Sequence, residues 1–390
     1  MNHKMAYAFL MGLNLGFIFL NIPPALDLLM GLYAVSYTKI SILISALLWS
    51  HALMQVPAGI ITDRLGLRGT FIICLGFMGV GGLIPAIAPG LEAAMAGRVL
   101  SGIGTGLGFV VTMKLIALHA PGGRVGTYQA FFAGSFSIGS ILAYLLIPLI
   151  SGLGWRWVYL STAAGCLPLI GLLLPMKLAR PSSSAPPPLS LGQVARLRTG
   201  WIIGSYHALS YGSMINLGNW VPTLLTEVWQ GSSATQYAWG GAVIMLLSGL
   251  GRLSGGFILF RFKPLLIAHG SLLILCFLFS GLFVLHSPGP VLALALSAAW
   301  FASINFGAFF QIASRAVAAE SLGLFFGFIN LLANLGAICF TLAFGWMKDT
   351  FGTLSGGFGL MAALCILSLV LGKSALQAEV QRRTMPYPEG

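Results

Sequence analysis

The sequence predicts an all-α membrane protein with twelve transmembrane helices in two pseudo-symmetric six-helix bundles. The chain has 390 residues, of which 57% are hydrophobic and 7% are charged, whereas soluble globular proteins carry roughly 25% charged residues. Its mean hydropathy is +0.93. The apolar residues form long continuous runs, which favour helices over the short alternating strands of a membrane β-barrel. This composition excludes a water-soluble enzyme, a nucleic-acid-binding domain and a disordered chain.

A membrane-spanning helix needs about 20 apolar residues, and the chain has twelve runs of about this length. They cover residues 5–29, 39–61, 69–88, 92–118, 126–150 and 155–175, and then 200–226, 236–260, 264–286, 290–316, 322–346 and 352–372. A polar stretch rich in proline and serine separates the two sets, which is typical of a linker. The expected organisation is a first bundle over 1–175, a linker over 176–199, a second bundle over 200–373 and a tail over 374–390.

The basic residues are distributed unevenly between the two sides of the predicted membrane. With the N-terminus inside, all but five of the twenty Lys and Arg residues fall in inner connections and tails. Cytoplasmic loops collect Lys and Arg, so both termini and the linker are expected in the cytoplasm. The net charge of +12 is then mainly a topology signal. Short loops and tails favour a multi-pass protein of a bacterial or archaeal inner (plasma) membrane.

The two halves repeat each other weakly. An offset of 197 positions aligns Gln55–Gly59 with Arg252–Gly256, and Gly139 with Gly336. Two parallel six-helix repeats are what an alternating-access transporter needs, with a binding site between them near the bilayer midplane.

The loop after the second run carries the most specific motif, Gly59-Ile-Ile-Thr-Asp63-Arg64-Leu-Gly66-Leu-Arg68. Gly59 permits close helix packing, Gly66 permits a tight turn, and Asp63 is able to cap a helix or pair with an arginine. The loop resembles the GxxxDRxGxR signature of the major facilitator superfamily. The resemblance implies the major facilitator fold and secondary transport without enzymatic activity. It also implies that Asp63, Arg64 and Arg68 act as a cytoplasmic latch.

The fourth run contains Arg98-Val-Leu-Ser-Gly-Ile-Gly-Thr-Gly-Leu-Gly, which looks like the RxxxGxGxG element of the same superfamily. Alternate glycines let helices approach closely. Two roles stay open for Arg98: a hydrogen bond to backbone carbonyls of the first helix, or a direct part in coupling. The Gly-Pro element of the family's antiporters is absent from the fifth run, where Gly134–Gly139 stands. This difference counts against a drug/proton antiporter.

Arg252 lies about 12 Å from the end of its helix, near the centre of a bilayer core of about 30 Å. An unpaired charge there costs at least about 2.5–3.5 kcal/mol, and no acidic residue of the sequence is expected at that depth. In a water-filled cavity, such a guanidinium is a good site for an anion, because it binds a carboxylate with two hydrogen bonds. The alternative is a packing role, with Arg252 bonded to backbone carbonyls.

The stretch Gly251–Gly256 resembles the eighth span of three anion-handling branches of the superfamily. These are the nitrate/nitrite or cyanate porters, the oxalate/formate porters and the monocarboxylate transporters, in which the matching arginine contacts the anion. The nitrate porters have a second arginine where this chain has Gln55, and the oxalate porters have a lysine in the eleventh span, which here carries Asn330 and Asn334. A single cavity arginine therefore favours a singly charged anion.

Other polar residues are expected to face the bundle interior, because polar side chains in spans usually do so. The predicted substrate-binding set is Arg252, Gln55, His51, His207, Tyr211, Asn219, Asn305, Asn330 and Asn334. His51 and His207 are candidates to carry a proton, with ordinary hydrogen-bonded histidines as the alternative. Asp27, near the outer mouth, is either a proton acceptor or a solvated acid at the rim.

The sequence therefore predicts a secondary transporter that moves a small organic anion, preferably a monocarboxylate, by alternating access, with proton symport as the coupling hypothesis. The coupling or gating set is Asp63, Arg64, Arg68, Arg98 and Asp27. The expected partners are the anion, protons and the lipid bilayer; no nucleic acid, ATP, cofactor or metal is expected, because the chain has no phosphate-binding GxxxxGK[ST] loop and no CxxC pair. The alternatives are a drug or metabolite efflux antiporter, and a non-transporting sensor or assembly protein of the same fold.

Overall fold

A computed structural model describes residues 3–121, 125–178, 190–231, 233–259, 261–314, 316–317 and 322–384. All regular structure in these ranges is helical, which confirms the all-α prediction. The helices are α1 (His3–Phe19), α2 (Leu26–Tyr33), α3 (Tyr37–Ile87), α4 (Leu91–His119), α5 (Val125–Ser151), α6 (Arg156–Leu173), α7 (Leu191–Ala195), α8 (Arg198–Trp229), α9 (Ala238–Ile258), α10 (Pro264–Val284), α11 (Pro288–Ile304), α12 (Phe306–Ser314), α13 (Leu322–Phe351) and α14 (Ser355–Thr384).

Ten helical segments in the described part of the chain are long and apolar enough to cross a membrane. The seventh and eighth expected spans, α8 and α9, are not among these ten, although they form helices of 32 and 21 residues. Both contain polar residues: α8 buries His207, Asn216 and Asn219, and α9 contains Arg252.

Three connections differ from the predicted runs. The second and third runs form one continuous element, α3, whose backbone turns at Gly66 with φ of 71°; only glycine adopts this left-handed conformation without strain. The first run divides into α1 and α2 around a 3-10 turn at Pro23–Ala25, because proline lacks the N–H that a continuing helix needs. The tenth run divides into α11 and α12 at Asn305.

The expected linker and tail are partly helical. Within the linker, α7 begins after Ser190, whose side chain forms a reciprocal capping box with Gln193. This Ser-x-x-Gln spacing is a helix-start signal. The next helix, α8, begins at Arg198, slightly before the predicted start of the second bundle, and α14 continues to Thr384 through the beginning of the predicted tail. Residues 179–189 lie outside the described ranges.

The two halves pack their repeat-related helices in the same way. In the first half, α5 lies against α1, and a methyl group added at Gly139 would overlap the carbonyl oxygen of Leu13. In the second half, α13 lies against α8, and a methyl group added at Gly336 would lie 2.8 Å from the carbonyl oxygen of Ala208. Both glycines are therefore required by close backbone contact. They are the pair that the 197-residue offset aligns.

The halves meet through α3 against α13 and through α5 against α9. These contacts are closest at the end of the bundle opposite the chain termini, which we call the sealed end. There, a methyl group added at Gly345 of α13 would lie 2.5 Å from Ser41 Oγ of α3, and one added at Gly241 of α9 would overlap the ring of Tyr144 of α5. Helices of opposite halves thus touch at the sealed end with no room for a side chain.

The same helices are open at the end that carries the chain termini, which we call the terminal end. A methyl group added at Gly59 of α3, Gly134 of α5 or Gly327 of α13 would have no atom of the described residues within 4 Å. Close packing of another helix at Gly59 is therefore not seen among the described residues. Within those residues, the halves touch at the sealed end and leave open space at these three positions of the terminal end.

Candidate functional site

Arg252 of α9 faces α8 and α12 inside the second half. Its Nη2 atom donates to Met214 Sδ at 3.0 Å, and its Cζ atom lies 5.1 Å from the centroid of the Phe306 ring. Among the described residues, no carboxylate or carbonyl oxygen accepts a hydrogen bond from this guanidinium. A thioether is a weak acceptor, and a guanidinium has five N–H donors. Most of the hydrogen-bonding capacity of Arg252 is therefore available to a solute or to water.

Arg252 lies immediately beyond the sealed end. The contact between α5 and α9 extends to Gly249, where an added methyl group would lie 3.3 Å from Ser137 Cβ. Arg252 follows three residues later, which is about 4.5 Å along a helix axis. Its side chain is half-buried. Arg252 thus lies next to the contact between the halves, on the side of that contact that faces the terminal end.

An aromatic and polar cluster from α8, α12 and α13 surrounds this position. His207 Nε2 lies 3.3 Å from Asn330 Oδ1, while His207 Nδ1 is buried with no partner among the described residues. The His207 ring contacts those of Tyr211, Phe306, Phe309 and Phe310 at centroid distances of 5.6–5.8 Å. Of the predicted residues, the structure therefore brings together Arg252, His207, Tyr211 and Asn330.

Two further side-chain amides of the second half have atoms without a hydrogen-bond partner among the described residues. Both side-chain atoms of Asn219 are buried and unpaired within the described ranges, and so is Asn334 Oδ1. The other amide atom of Asn334 donates to the carbonyl oxygen of Asn330 at 2.9 Å. A buried polar group without a hydrogen bond costs about 1–3 kcal/mol. These amides are therefore suited to a partner that the protein chain itself does not supply.

Asn305 joins neighbouring helices of the second half. Its side chain is fully buried, it accepts a hydrogen bond from Ser210 Oγ at 2.6 Å, and it donates to Ser271 Oγ at 2.8 Å. These bonds join α8, α10 and the α11–α12 junction. In this conformation neighbouring helices supply a partner to each atom of its amide, and the binding of substrate by Asn305 stays a prediction.

His51 and Gln55 form a separate chain of hydrogen bonds in the first half. Gln55 Nε2 lies 2.9 Å from His51 Nε2, and His51 Nδ1 lies 3.1 Å from Thr105 Oγ1. The Thr105 hydroxyl donates in turn to the carbonyl oxygen of Gly102 at 3.0 Å. If Gln55 donates to His51 Nε2, then His51 is the neutral tautomer whose Nδ1–H donates a hydrogen bond to Thr105 Oγ1. His51 is buried and Gln55 is half-buried, so Gln55 is the accessible end of this chain.

Arg98 is buried between the first helices of the bundle and is 4% exposed. Its Nη1 atom donates to the carbonyl oxygen of Ile18 at 2.9 Å and to Asn21 Oδ1 at 3.1 Å, and its Nη2 atom donates to the carbonyl oxygen of Ile44 at 3.5 Å. The bonds to carbonyl oxygens match the first role that the sequence leaves open for Arg98, a hydrogen bond to the backbone. The side chain joins α4 to the end of α1 and to α3.

The signature loop lies at the terminal end. Arg68 donates to the carbonyl oxygens of Leu174 and Met176, at 3.0 Å for Leu174, and thereby ties α3 to the end of α6. Arg64 is exposed, and the side chain of Asp63 lies outside the described parts of the structure. Arg68 also lines a cavity of about 480 Å³ together with Lys4, Met176, Lys177 and Leu178.

Asp27 is neither free nor fully solvated. It is half-buried, and its Oδ2 atom accepts hydrogen bonds from the backbone N–H groups of Ala234 and Thr235, at 2.5 and 3.4 Å. These groups belong to the other half of the molecule. Asp27 thus bonds across the sealed end, and its two roles considered from the sequence, proton acceptor and solvated rim acid, both stay hypotheses.

The sequence reasoning missed Met214 and Phe306, the two residues that contact the Arg252 guanidinium. Met214 follows His207 and Tyr211 at i+7 and i+3, a spacing that places all three on one helix face. That signal was available. Phe306 adjoins Asn305, and a preference for polar residues selected Asn305 but not Phe306.

The fold and site define a helical membrane protein whose two repeat-related halves close at one end around a polar, arginine-containing region. The family model of the Major Facilitator Superfamily matches residues 6–341, so the chain belongs to that superfamily. This match and the solved structures below confirm the predicted major facilitator fold.

The relatives carry different solutes in their names. The chain is 26% identical over 150 residues to a D-galactonate transporter of Escherichia coli, a match that covers 38% of this chain and 34% of that protein. The chain thus spans about a third of the length of this curated relative. Among solved structures, nucleoside transporter NupG has a TM-score of 0.77 at 15% identity, over 96% of this chain and 99% of that one. The xylose transporter XylE from E. coli, in an inward open conformation, has a TM-score of 0.74 at 15% identity, over 94% of each chain.

Proposed function

We propose that the protein is a secondary active transporter that carries a small monocarboxylate across the membrane by alternating access. The observation that carries this proposal is the Arg252 guanidinium, whose contacts among the described residues are a thioether and an aromatic ring. A carboxylate supplies what these contacts do not, namely two charge-assisted hydrogen bonds in a planar arrangement. Arg252 is then the residue that binds the carboxylate.

The groups near Arg252 suit a monocarboxylate that also carries hydroxyl groups. The Tyr211 hydroxyl and His207 Nδ1 have no hydrogen-bond partner among the described residues, and neither does the amide of Asn219, further along α8. D-galactonate, the solute in one relative's name, is a monocarboxylate with several hydroxyl groups, and it combines both features. We assign the hydroxyl contacts to His207, Tyr211, Asn219, Asn330 and Asn334, with Gln55 and His51 as the contribution of the first half.

The charge distribution and the closed end together suggest the direction in which the site opens. If the basic termini are cytoplasmic, then the terminal end faces the cytoplasm and the sealed end faces outward. Arg252 is then reached from the cytoplasm in this conformation. Rocking of the halves about the site would expose it to the other side.

The unpaired charge of Arg252 also provides a reason for the solute to trigger that movement. Closing the halves over an empty site would remove water from an uncompensated guanidinium, which costs several kcal/mol. A bound carboxylate compensates the charge and lowers this cost. His51 and His207 are our candidates for a co-transported proton, since histidine changes its charge near neutral pH.

A thermal unfolding experiment on the purified protein tests the substrate class. The panel contains D-galactonate and simple monocarboxylates, together with dicarboxylates, nitrate, cyanate, D-xylose, polyols, nucleosides and cationic dyes. A ligand at 100 times its Kd adds about 2.7 kcal/mol of apparent stability. We expect monocarboxylates to raise the unfolding midpoint of the wild-type protein and not that of Arg252→Ala. Stabilisation by neutral sugars or cationic dyes in place of anions would contradict the proposal.

A further inference from the structure

Two carboxylates join the halves at the sealed end, and each belongs to a different half. Asp27, at the start of α2, accepts hydrogen bonds from the N–H groups of Ala234 and Thr235 in the turn that leads into α9. Asp349, near the end of α13, accepts from the N–H groups of Tyr37 and Thr38 at the start of α3, at 3.0 and 2.7 Å. Each half thus supplies one acceptor to the other.

The donors of the two contacts are repeat-related. Ala234 and Thr235 follow Tyr37 and Thr38 by 197 positions, the offset that aligns the two halves. The preceding serines match as well: Ser36 Oγ accepts from the N–H three residues later at 3.4 Å, and so does Ser233 Oγ. The fold therefore presents a repeat-related N–H pair, preceded by a capping serine, to a carboxylate of the opposite half on each side of the interface.

The neighbouring ion pair of Lys348 and Glu227 has its hydrogen bonds, among the described residues, within one half. Lys348 Nζ donates to Glu227 Oε1 at 2.7 Å, and Glu227 also accepts from Thr353 and Leu354. All four residues belong to the second half. Lys348 Nζ reaches the first half through a ring contact, 5.7 Å from the centroid of Tyr37. The sealed end therefore has two kinds of acidic site, one that holds a single half together and one that holds the two halves to each other.

We propose that Asp27 and Asp349 form a two-part latch that keeps the sealed end closed and releases as one unit when the halves rock apart. The geometry requires this coupling. Every donor of the latch lies in the half opposite its acceptor, so separation of the halves breaks both contacts together. Hydrogen bonds to a charged acceptor are stronger than neutral ones. Loss of either carboxylate should therefore favour opening of the whole end, including the contact that still has its own carboxylate.

Amide hydrogen exchange of the full chain in lipid nanodiscs tests the latch, with mass spectrometry of peptides that cover residues 34–40 and 231–238. Asp349→Ala removes the acceptor of Tyr37 and Thr38, and faster exchange at those amides follows for local reasons alone. The informative readout is the other pair. The latch predicts that Asp349→Ala also speeds exchange at Ala234 and Thr235 by about threefold or more, and that Asp27→Ala has the reverse cross-effect.

Matched variants separate the latch from local effects. Glu92→Gln removes an exposed carboxylate at the same end of the bundle, and it should change neither peptide. Ser233→Ala removes the local cap of Gln236 N while leaving the Asp27 contact, and its effect should stay within the 231–238 peptide. Exchange that rises only at the pair whose own acceptor was removed would overturn the proposal, because the carboxylates would then be local caps.

Tyr144→Phe keeps the test decisive if an aspartate variant fails to fold. The Tyr144 hydroxyl of the first half donates to the carbonyl oxygen of Gly218 in the second half, away from both N–H pairs. Its removal should speed exchange at both pairs by a similar factor. Unchanged exchange at both pairs would contradict a seal that opens as one unit. No solute is present in these experiments, so their outcome does not depend on the substrate assignment.

Discussion

Two arginines lie inside the predicted spans, one in each half, and the contacts of their side chains differ. Arg98 is 4% exposed and donates to two carbonyl oxygens and an asparagine oxygen. Arg252 is half-buried and contacts a thioether and a phenyl ring. Both terminal nitrogens of the first guanidinium have oxygen partners in its own half-bundle, although its Nε has none among the described residues, whereas the second keeps most of its hydrogen-bonding capacity. A membrane arginine is thus a candidate for binding when the chain leaves it without oxygen partners.

The largest expected effect is that of Arg252→Ala on solute binding. Truncating one partner of a desolvated charge pair costs about 2–5 kcal/mol, so the affinity for a monocarboxylate should fall by at least about thirtyfold. Titration calorimetry of the purified variant measures the affinity, and uptake into proteoliposomes measures transport. The unfolding midpoint without solute should stay close to the wild-type value. Normal uptake by this variant would remove Arg252 from the site.

Arg98→Ala should reverse that pattern and lower stability. The substitution leaves the carbonyl oxygen of Ile18 and the side-chain oxygen of Asn21 buried without this donor. Each unsatisfied group costs about 1–3 kcal/mol, so we expect a loss of about 3 kcal/mol in the free energy of unfolding, measured by denaturant titration. Arg64→Ala, at an exposed position, is the control and should change it by less than about 0.5 kcal/mol. Equal stability of Arg98→Ala and wild type would mean that these contacts do not hold the bundle.

Arg252→Lys should give an intermediate result that separates charge from shape. Lysine keeps the positive charge but not the planar pair of donors that binds a carboxylate with two hydrogen bonds. We expect the affinity for a monocarboxylate to fall by about tenfold, less than in Arg252→Ala, with unchanged stability. A lysine variant that binds as tightly as wild type would show that charge alone is required. Titration calorimetry on the two variants side by side provides the measurement.

The smallest expected effect is that of Tyr211→Phe. The variant removes only a hydroxyl that has no hydrogen-bond partner among the described residues, and one such bond is worth about 0.5–1.5 kcal/mol. Affinity for a hydroxylated monocarboxylate should fall by about threefold to tenfold, while affinity for acetate should not change. An equal loss for both solutes would mean that the Tyr211 hydroxyl contacts the carboxylate of the solute and not its hydroxyl groups.

The sequence predicted the features that depend on local pattern. The tight turn at Gly66 and the repeat offset both follow from spacing and composition. It did not predict that Asn305 turns towards Ser210 and Ser271, because an amide in a span looks the same whether it lines a site or joins three helices. Nor did it pair Asp27 with Ala234, since such a contact exists only once two halves of the chain are assembled.

The central claim is that Arg252 binds the carboxylate of the solute, and a binding cycle tests it most directly. The four measurements are the affinities of wild type and Arg252→Met for D-galactonate and for its uncharged amide. The account predicts that wild type prefers the carboxylate by about thirtyfold or more, and that Arg252→Met binds both compounds equally well. A preference for the carboxylate that persists in Arg252→Met would contradict the account and place the anion contact elsewhere in the molecule.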